Sequence, residues 1–179
     1  MLSVGQRFPD FRLKAVTSTD LENAFTTLDQ DSFPGKWRLV FFYPKDFTFV
    51  CPTELSGFGK LLGEFEDRDC QILAASTDSE CVHLAWRRDH DDLRELPYPM
   101  LSDIRRDLST ELGILEPEEL VCHRATFLVD PEGIIRYAEM SDPSVGRNPD
   151  EVLRVLDALQ TGELCPCNWK KDDATLQVG

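Results

Sequence analysis

Cys51 stands where an apolar run gives way to a helix start, in the stretch FFYPKDFTFVCPTEL. The residues before it, Arg38 to Tyr43, are aromatic and branched like a central strand, and Pro44 and Asp46 break that run. A thiol in the first turn of a helix faces unpartnered backbone N–H groups and the positive end of the helix dipole. Both favour the thiolate, which is the nucleophilic form. Pro52 suits that turn because a first-turn residue has no helical hydrogen bond to lose. If the turn is already helical, Thr48 lies on the same face three residues earlier, ready to donate to an anion or accept from a bound substrate. The chemistry implied is that of a reactive thiol; the plainer reading of Cys51 is a small buried hydrophobe. Arg124 is a second candidate, because it opens the apolar run Ala125 to Val129 and its charge therefore sits at a strand end. Without further context, an arginine beside a strand reads equally as a solvated surface residue.

The elements that must position these side chains alternate apolar strand-like runs with charged helix-like ones, the pattern of a mixed α/β domain. Thr17 to Pro34 is polar and reads as a hairpin or loop. The helix beginning near Cys51 is expected to reach Glu66. Gln71 to Ser76 reads as a second core strand, followed by a cap at Asp78 or Ser79 and a helix running to about Leu93. Pro97-Tyr98-Pro99 interrupts, and a short helix from about Arg105 to Leu112 follows. Ala125 to Val129 and Ile134 to Met140 flank Asp130-Pro131-Glu132-Gly133 as a hairpin. Asn148-Pro149-Asp150 caps a last amphipathic helix with Val152, Val155, Leu156 and Leu159 on one face. The expected picture is a five-stranded sheet covered by helices, a domain over residues 1–162 and a tail over 163–179.

At 179 residues and 41% apolar content, the chain can bury one full core. Its net charge of -14 opposes nucleic acid and anionic membranes, both of which reward a basic surface. The opening MLSVGQRFPDF has no cationic flank ahead of an apolar run, and no window approaches a membrane span, so a soluble, cytoplasmic protein is expected. The six cysteines are dispersed in a chain with ample core, which points to reduced or redox-active thiols over a disulfide framework. Cys70 and Cys81 fall where a core or interface residue would serve, so burial is the default reading for both, and His83 and Trp86, three residues apart, read as packing on one helical face. Cys165-Pro166-Cys167 places two thiols in a proline-interrupted, mobile segment; the plainer readings are half a metal site or an inert tail. No GxGxxG fingerprint and no CxxC pair is present, so neither a bound cofactor nor a metal is expected, and nicotinamide or flavin chemistry would belong to a partner.

The spacing PxxxTxxC of Pro44, Thr48 and Cys51 resembles the active-site loop of the peroxiredoxins. FYPKDFTFVCPTEL is similar to the AhpC branch of the typical two-cysteine group, and STDSECVHLAWR, PMLSDIRRDLS, RATFLVDPEGIIR, VGRNPDEVLRVLDALQ and ELCPCNWKK extend the likeness along nearly the whole chain, in its actinobacterial form. The resemblance implies a thioredoxin fold, with a central mixed sheet, flanking helices and a C-terminal tail. It implies a thiol peroxidase acting on hydrogen peroxide and alkyl hydroperoxides, in which Cys51 becomes a sulfenic acid and Cys165 of the other subunit resolves it as a disulfide. Arg124 corresponds to the active-site arginine, Thr48 and Pro44 to the residues that orient the peroxide and shield the sulfur, and Glu54 and Arg147 to the PTE and GR elements that brace the site. Cys167 matches an auxiliary thiol. The partners implied are an external dithiol (an AhpD-type adaptor, a thioredoxin or a flavoprotein disulfide reductase) and a second copy, in a homodimer that joins others into a ring through the region of Thr77 and Cys81.

Leu120-Val121-Cys122-His123 departs from the small or acidic pair that relatives carry before the arginine, and Cys122 reads as a bystander. The chain lacks the GGLG insertion and the Tyr-Phe tail helix of peroxide-sensitive relatives, so resistance to overoxidation is implied. A one-cysteine peroxidase resolved by a small thiol and a non-enzymatic chaperone-like ring are the alternatives. A thioredoxin-like carrier fits poorly, because Glu54 occupies the place of the second cysteine of CxxC.

Overall fold

The central strand is built from the run around Leu39 to Phe42, which is apolar at every position and therefore suited to burial on both faces. A computed structural model describes residues 1–177. The chain divides into two compact units, Met1–Arg147 and one beginning at Asn148. The sequence reading put the division after residue 162; the last helix instead groups with the tail.

In the first unit the strands are β1 (Arg12–Val16), β2 (Phe25–Asp29), β3 (Trp37–Phe42), β4 (Cys70–Ser76), β5 (Met100–Ser102), β6 (Arg124–Val129) and β7 (Ile135–Ser141). They form one seven-stranded sheet in the order β2-β1-β5-β4-β3-β6-β7. β3, β4 and β5 are parallel, and the remaining neighbours pair antiparallel. This is a mixed thioredoxin-like sheet, as expected in class, but with more strands than the five anticipated. The polar stretch after Val16 closes a β1–β2 hairpin, and a three-residue strand follows the prolines at 97 and 99. So short a strand, next to prolines that suggest interruption, leaves no alternation to read.

Successive β3 side chains alternate between faces. Val40 and Phe42 join a core with Phe8, Leu73, Leu108 and Phe127. Phe41 stacks on Phe58 with ring centroids 4.5 Å apart, on the side covered by α1 (Cys51–Lys60) and α2 (Leu62–Glu66). These two helices replace the single one expected. The break falls at Leu61, whose backbone leaves the helical region, between Gly59 and Gly63, residues with low helix propensity. α3 (Glu80–Asp89) starts at Ser79, whose hydroxyl accepts from the Val82 N–H at 3.2 Å. It ends at His90, whose extended backbone separates it from α4 (Asp91–Arg94). α5 (Asp107–Leu112) completes the unit.

Cys70 is buried as expected, and burial pushes its thiol up to about 12. Cys81 is exposed in the single chain and so is not a core residue: α3 turns His83, Leu84, Trp86 and Arg87 inward and Cys81 outward. In the second unit, α6 (Pro149–Thr161) is capped by the Asn148 side chain accepting from the Asp150 N–H at 3.1 Å. Val152 and Leu156 are buried, while Val155 and Leu159 are only partly so. Among the described residues no helix is long and apolar enough to cross a membrane.

Candidate active site

β3 delivers the chain into a loop that is tied down before Cys51 is reached. Tyr43 is buried and its hydroxyl donates to Asp46 Oδ1 at 2.8 Å, while Asp46 Oδ2 lies 2.7 Å from His83 Nδ1. The Asp46 backbone N–H donates to Asp78 at 2.8 Å, and His83 Nε2 meets the Leu101 carbonyl at 3.1 Å. His83, read from sequence as packing, is thus a buried hydrogen-bonding anchor of this loop; Trp86 does pack, against Tyr43 and Phe47.

Cys51 is the first residue of α1 and Pro52 the second, with Val50 as N-cap. The Cys51 side chain is buried at the floor of a cavity of about 430 Å³ that Pro44, Thr48, Arg124 and Pro143 also line. Thr48 lies in the loop, ahead of the helix, and its hydroxyl donates to the Lys45 carbonyl at 2.9 Å. Its proton is therefore committed to the backbone and its oxygen is left to accept.

Arg124 opens β6 and its Nη1 lies 3.4 Å from Cys51 Sγ. Three residues beyond Cys51 on α1, Glu54 points the same way. Its Oε2 accepts from Arg124 Nη1 at 2.6 Å and from Arg147 Nη2 at 2.9 Å, and its Oε1 accepts from Arg147 Nε at 2.8 Å and from the Arg147 backbone at 3.0 Å. Arg147 Nη1 also donates to the Ala125 carbonyl at 3.0 Å, and its guanidinium covers the Phe41 ring at 5.0 Å. Burial disfavours the Glu54 carboxylate, but hydrogen bonds and charge from Arg147, with the charge of Arg124, outweigh it and hold the group below the usual carboxylate range. Glu54 and Arg147, equally readable from sequence as surface charges, are buried. One carboxylate between two guanidiniums leaves a net positive charge beside Sγ, a setting that suits an anion.

The cavity has a wall that the sequence reading did not single out. Residues 115–122 form a small loop closed by a Leu115–Cys122 bridge, and the Glu116 carboxylate accepts from the Glu118 and Glu119 N–H groups at 3.1 and 2.6 Å. Lys45, from the loop preceding Cys51, pairs with Glu119 across the rim. The partners lie far apart in sequence, so no local pattern marks them. Cys122 also lines the cavity, but burial pushes its thiol up to about 12, which keeps it protonated at neutral pH.

Cys165 and Cys167 belong to the second unit. Cys165 is half-buried, with Sγ 3.7 Å from the Ala158 carbonyl and 3.5 Å from Thr161 Oγ1; Cys167 is exposed. Among the described residues no three His, Cys, Asp or Glu side chains gather as a metal site.

A thioredoxin-like sheet with a thiol at a helix start, beside a buried arginine, defines a thiol-based redox protein. Residues 4–138 match the AhpC/TSA family. The chain is 54% identical over 187 residues to alkyl hydroperoxide reductase C of Mycobacterium tuberculosis, with 100% of this chain and 95% of the relative covered. The solved structure of Mycobacterium tuberculosis AhpC superposes with a TM-score of 0.87 at 53% identity, covering 95% of this chain and 99% of that one. A reduced 2-Cys peroxiredoxin of Plasmodium vivax superposes with a TM-score of 0.90 at 34% identity, over 98% of this chain and 93% of that one. The chain belongs to the AhpC/TSA family.

Proposed function

We propose that this thiol-dependent peroxidase reduces hydrogen peroxide and alkyl hydroperoxides through Cys51, with Cys165 of a second copy as resolving thiol. The observation that carries this reading is the Arg124 guanidinium 3.4 Å from Cys51 Sγ at the floor of a cavity that Thr48 lines. The Cys51 thiolate attacks one peroxide oxygen, the O–O bond breaks, and Cys51 becomes a sulfenic acid as an alkoxide or hydroxide leaves and takes up a proton. Thr48 Oγ1 accepts from the peroxide hydroxyl, Arg124 holds the separating charge, and Pro44 keeps bulk water from the sulfur. The Cys165 thiol then attacks the sulfenic sulfur, the S–S bond forms, and water departs. An external dithiol, carried by an AhpD-type adaptor, a thioredoxin or a flavoprotein disulfide reductase, exchanges with that disulfide and is itself oxidised. Cys167 is an auxiliary thiol for that exchange.

Assembly as a homodimer, and of dimers into a ring, is supported by the terminal position of β7 in the sheet and by Phe49, 94% exposed in the loop before Cys51. The net charge and the free thiols support a cytoplasmic setting.

Rapid kinetics on Arg124→Lys test the role of the arginine. A lysine carries the charge without the planar guanidinium whose Nε donates to the Pro143 carbonyl at 2.9 Å while Nη1 faces Sγ and Glu54, so the second-order rate of Cys51 oxidation is expected to fall about 100-fold. An unchanged rate would remove Arg124 from the mechanism. The rim carboxylates should discriminate among substrates: Glu118→Gln with Glu119→Gln is expected to speed oxidation by a carboxylate-bearing hydroperoxide about threefold at low salt, with little effect on its methyl ester. Equal effects on both would mean that the rim does not act by charge.

A further inference from the structure

The tail that carries Cys165 is expected from its composition to be mobile, yet residues 163–177 fold back along α6. The Leu176 N–H donates to the Leu164 carbonyl at 2.8 Å, and the Glu163 carboxylate pairs with the Thr175 hydroxyl. Trp169, 4% exposed, donates its indole N–H to the Asp173 carbonyl at 3.0 Å. From the helix, Arg154 Nη1 donates to the Trp169 carbonyl at 2.9 Å. Its guanidinium is preset for that bond by Glu151, one turn earlier, which accepts from Nε and Nη2 at 2.7 Å each. A cavity of about 490 Å³ is lined by Val155, Ala158 and Leu159 of the helix and by Cys165, Pro166 and Cys167 of the tail. A terminal segment tied to its helix in part by side-chain hydrogen bonds opens locally at a cost that those bonds help to set.

We propose that Arg154 is a positioning residue for disulfide formation: its hydrogen bond to the Trp169 carbonyl clasps the tail against α6, and release of that clasp sets how fast Cys165 reaches an oxidised Cys51. In the clasped form the Cys165 thiol is directed at the Ala158 carbonyl. To react it must leave that acceptor and lose its proton; its sulfur is then oxidised as it bonds to the Cys51 sulfur, which is reduced while water departs. The competing step oxidises the Cys51 sulfenic acid with a second peroxide to sulfinic acid, with release of an alcohol or water. The clasp therefore divides oxidised enzyme between turnover and inactivation. This inference rests on the assignment of Cys165 as the resolving thiol.

The test is stopped-flow tryptophan fluorescence of the full-length reduced protein mixed with hydrogen peroxide, for wild type, Arg154→Met, Arg154→Lys and Asp173→Ala. A peroxide-dependent phase reports Cys51 oxidation and a peroxide-independent phase reports disulfide formation. In Arg154→Met the first phase is expected to be unchanged and the second about three- to tenfold faster, the scale of one lost hydrogen bond to a charged, partly exposed group. The peroxide concentration giving half sulfinic acid should rise by the same factor. Arg154→Lys, which keeps a donor, should lie near wild type. Asp173→Ala removes the acceptor for the Lys170 N–H at 2.8 Å and should speed the second phase by loosening the same turn. A second phase unchanged or slowed in both Arg154→Met and Asp173→Ala, with wild type still forming the Cys51–Cys165 disulfide, would overturn the clasp alone. A wild type that oxidises Cys51 without any disulfide would overturn the assignment of Cys165 and the clasp with it.

Discussion

Cys51→Ser is expected to lower peroxide consumption by about three orders of magnitude or more, to the background set by the remaining thiols. Serine matches the thiol in shape, but its hydroxyl must lose a proton to attack, and neither Arg124 nor Thr48 supplies a base. Arg124 donates at 3.4 Å, and Thr48 has given its own proton to the Lys45 carbonyl. Cys122 lines the same cavity but cannot substitute, because burial raises its thiol to about 12 and leaves a negligible thiolate fraction near pH 7.5. Residual peroxide measured during turnover with dithiothreitol, together with an unchanged circular dichroism spectrum, checks this. Retention of a tenth or more of the wild-type rate would mean that Cys51 is not the nucleophile and would direct attention to Cys122.

Glu54→Gln should destabilise the fold more than any other single change at the site. Its carboxylate is 1% exposed and receives both guanidiniums. Removing the charge leaves Arg124 and Arg147 buried together without a counterion, a loss of about 3–5 kcal/mol. For a chain of this size that corresponds to a fall in Tm of about 10 °C at fixed protein concentration. Activity should fall as well, because Glu54 aims Arg124 at the sulfur. The effect carries a signature in pH. Glu54 is held below its usual range in the folded state, so the unfolded chain binds its proton first as pH falls. Its stabilisation is fully present above the unfolded value of about 4.3 and is lost as pH drops through the lower folded value. The gap between wild type and Glu54→Gln, followed by urea unfolding, should be constant near neutrality and close in acid. A gap below about 1 kcal/mol at pH 7 would show that the two arginines do not depend on Glu54.

What the chain reveals before folding is uneven, and the reasons are physical. Cys51 was legible because a strand run, a proline break and a second proline place it at a helix start whatever the tertiary structure. Thr48 was identified as a neighbour of the site, but its loop geometry, with the hydroxyl turned to Lys45, depends on the buried Tyr43–Asp46–His83 contacts and is not a local property. Glu54 and Arg147 illustrate the opposite limit. Charged residues 93 positions apart read singly as surface groups, and only the fold brings them to hydrogen-bonding distance and burial. Lys45 and Glu119 were missed on the same ground. In the fold, long buried runs such as β3 and β4 were clear, whereas β5 takes its identity from its neighbours β1 and β4. Burial was the default reading of Cys81 because cysteine usually is buried, and the phase of α3 turns it out of the core.

The most direct test of the two-thiol mechanism is a non-reducing denaturing gel of the reduced protein after one equivalent of hydrogen peroxide, run beside Cys51→Ser and Cys165→Ser. The account predicts that wild type converts to a covalent dimer and that neither variant does, as an intersubunit Cys51–Cys165 disulfide requires. A wild type that stays monomeric while Cys51 is oxidised, or a Cys165→Ser variant that dimerises as wild type does, would contradict it.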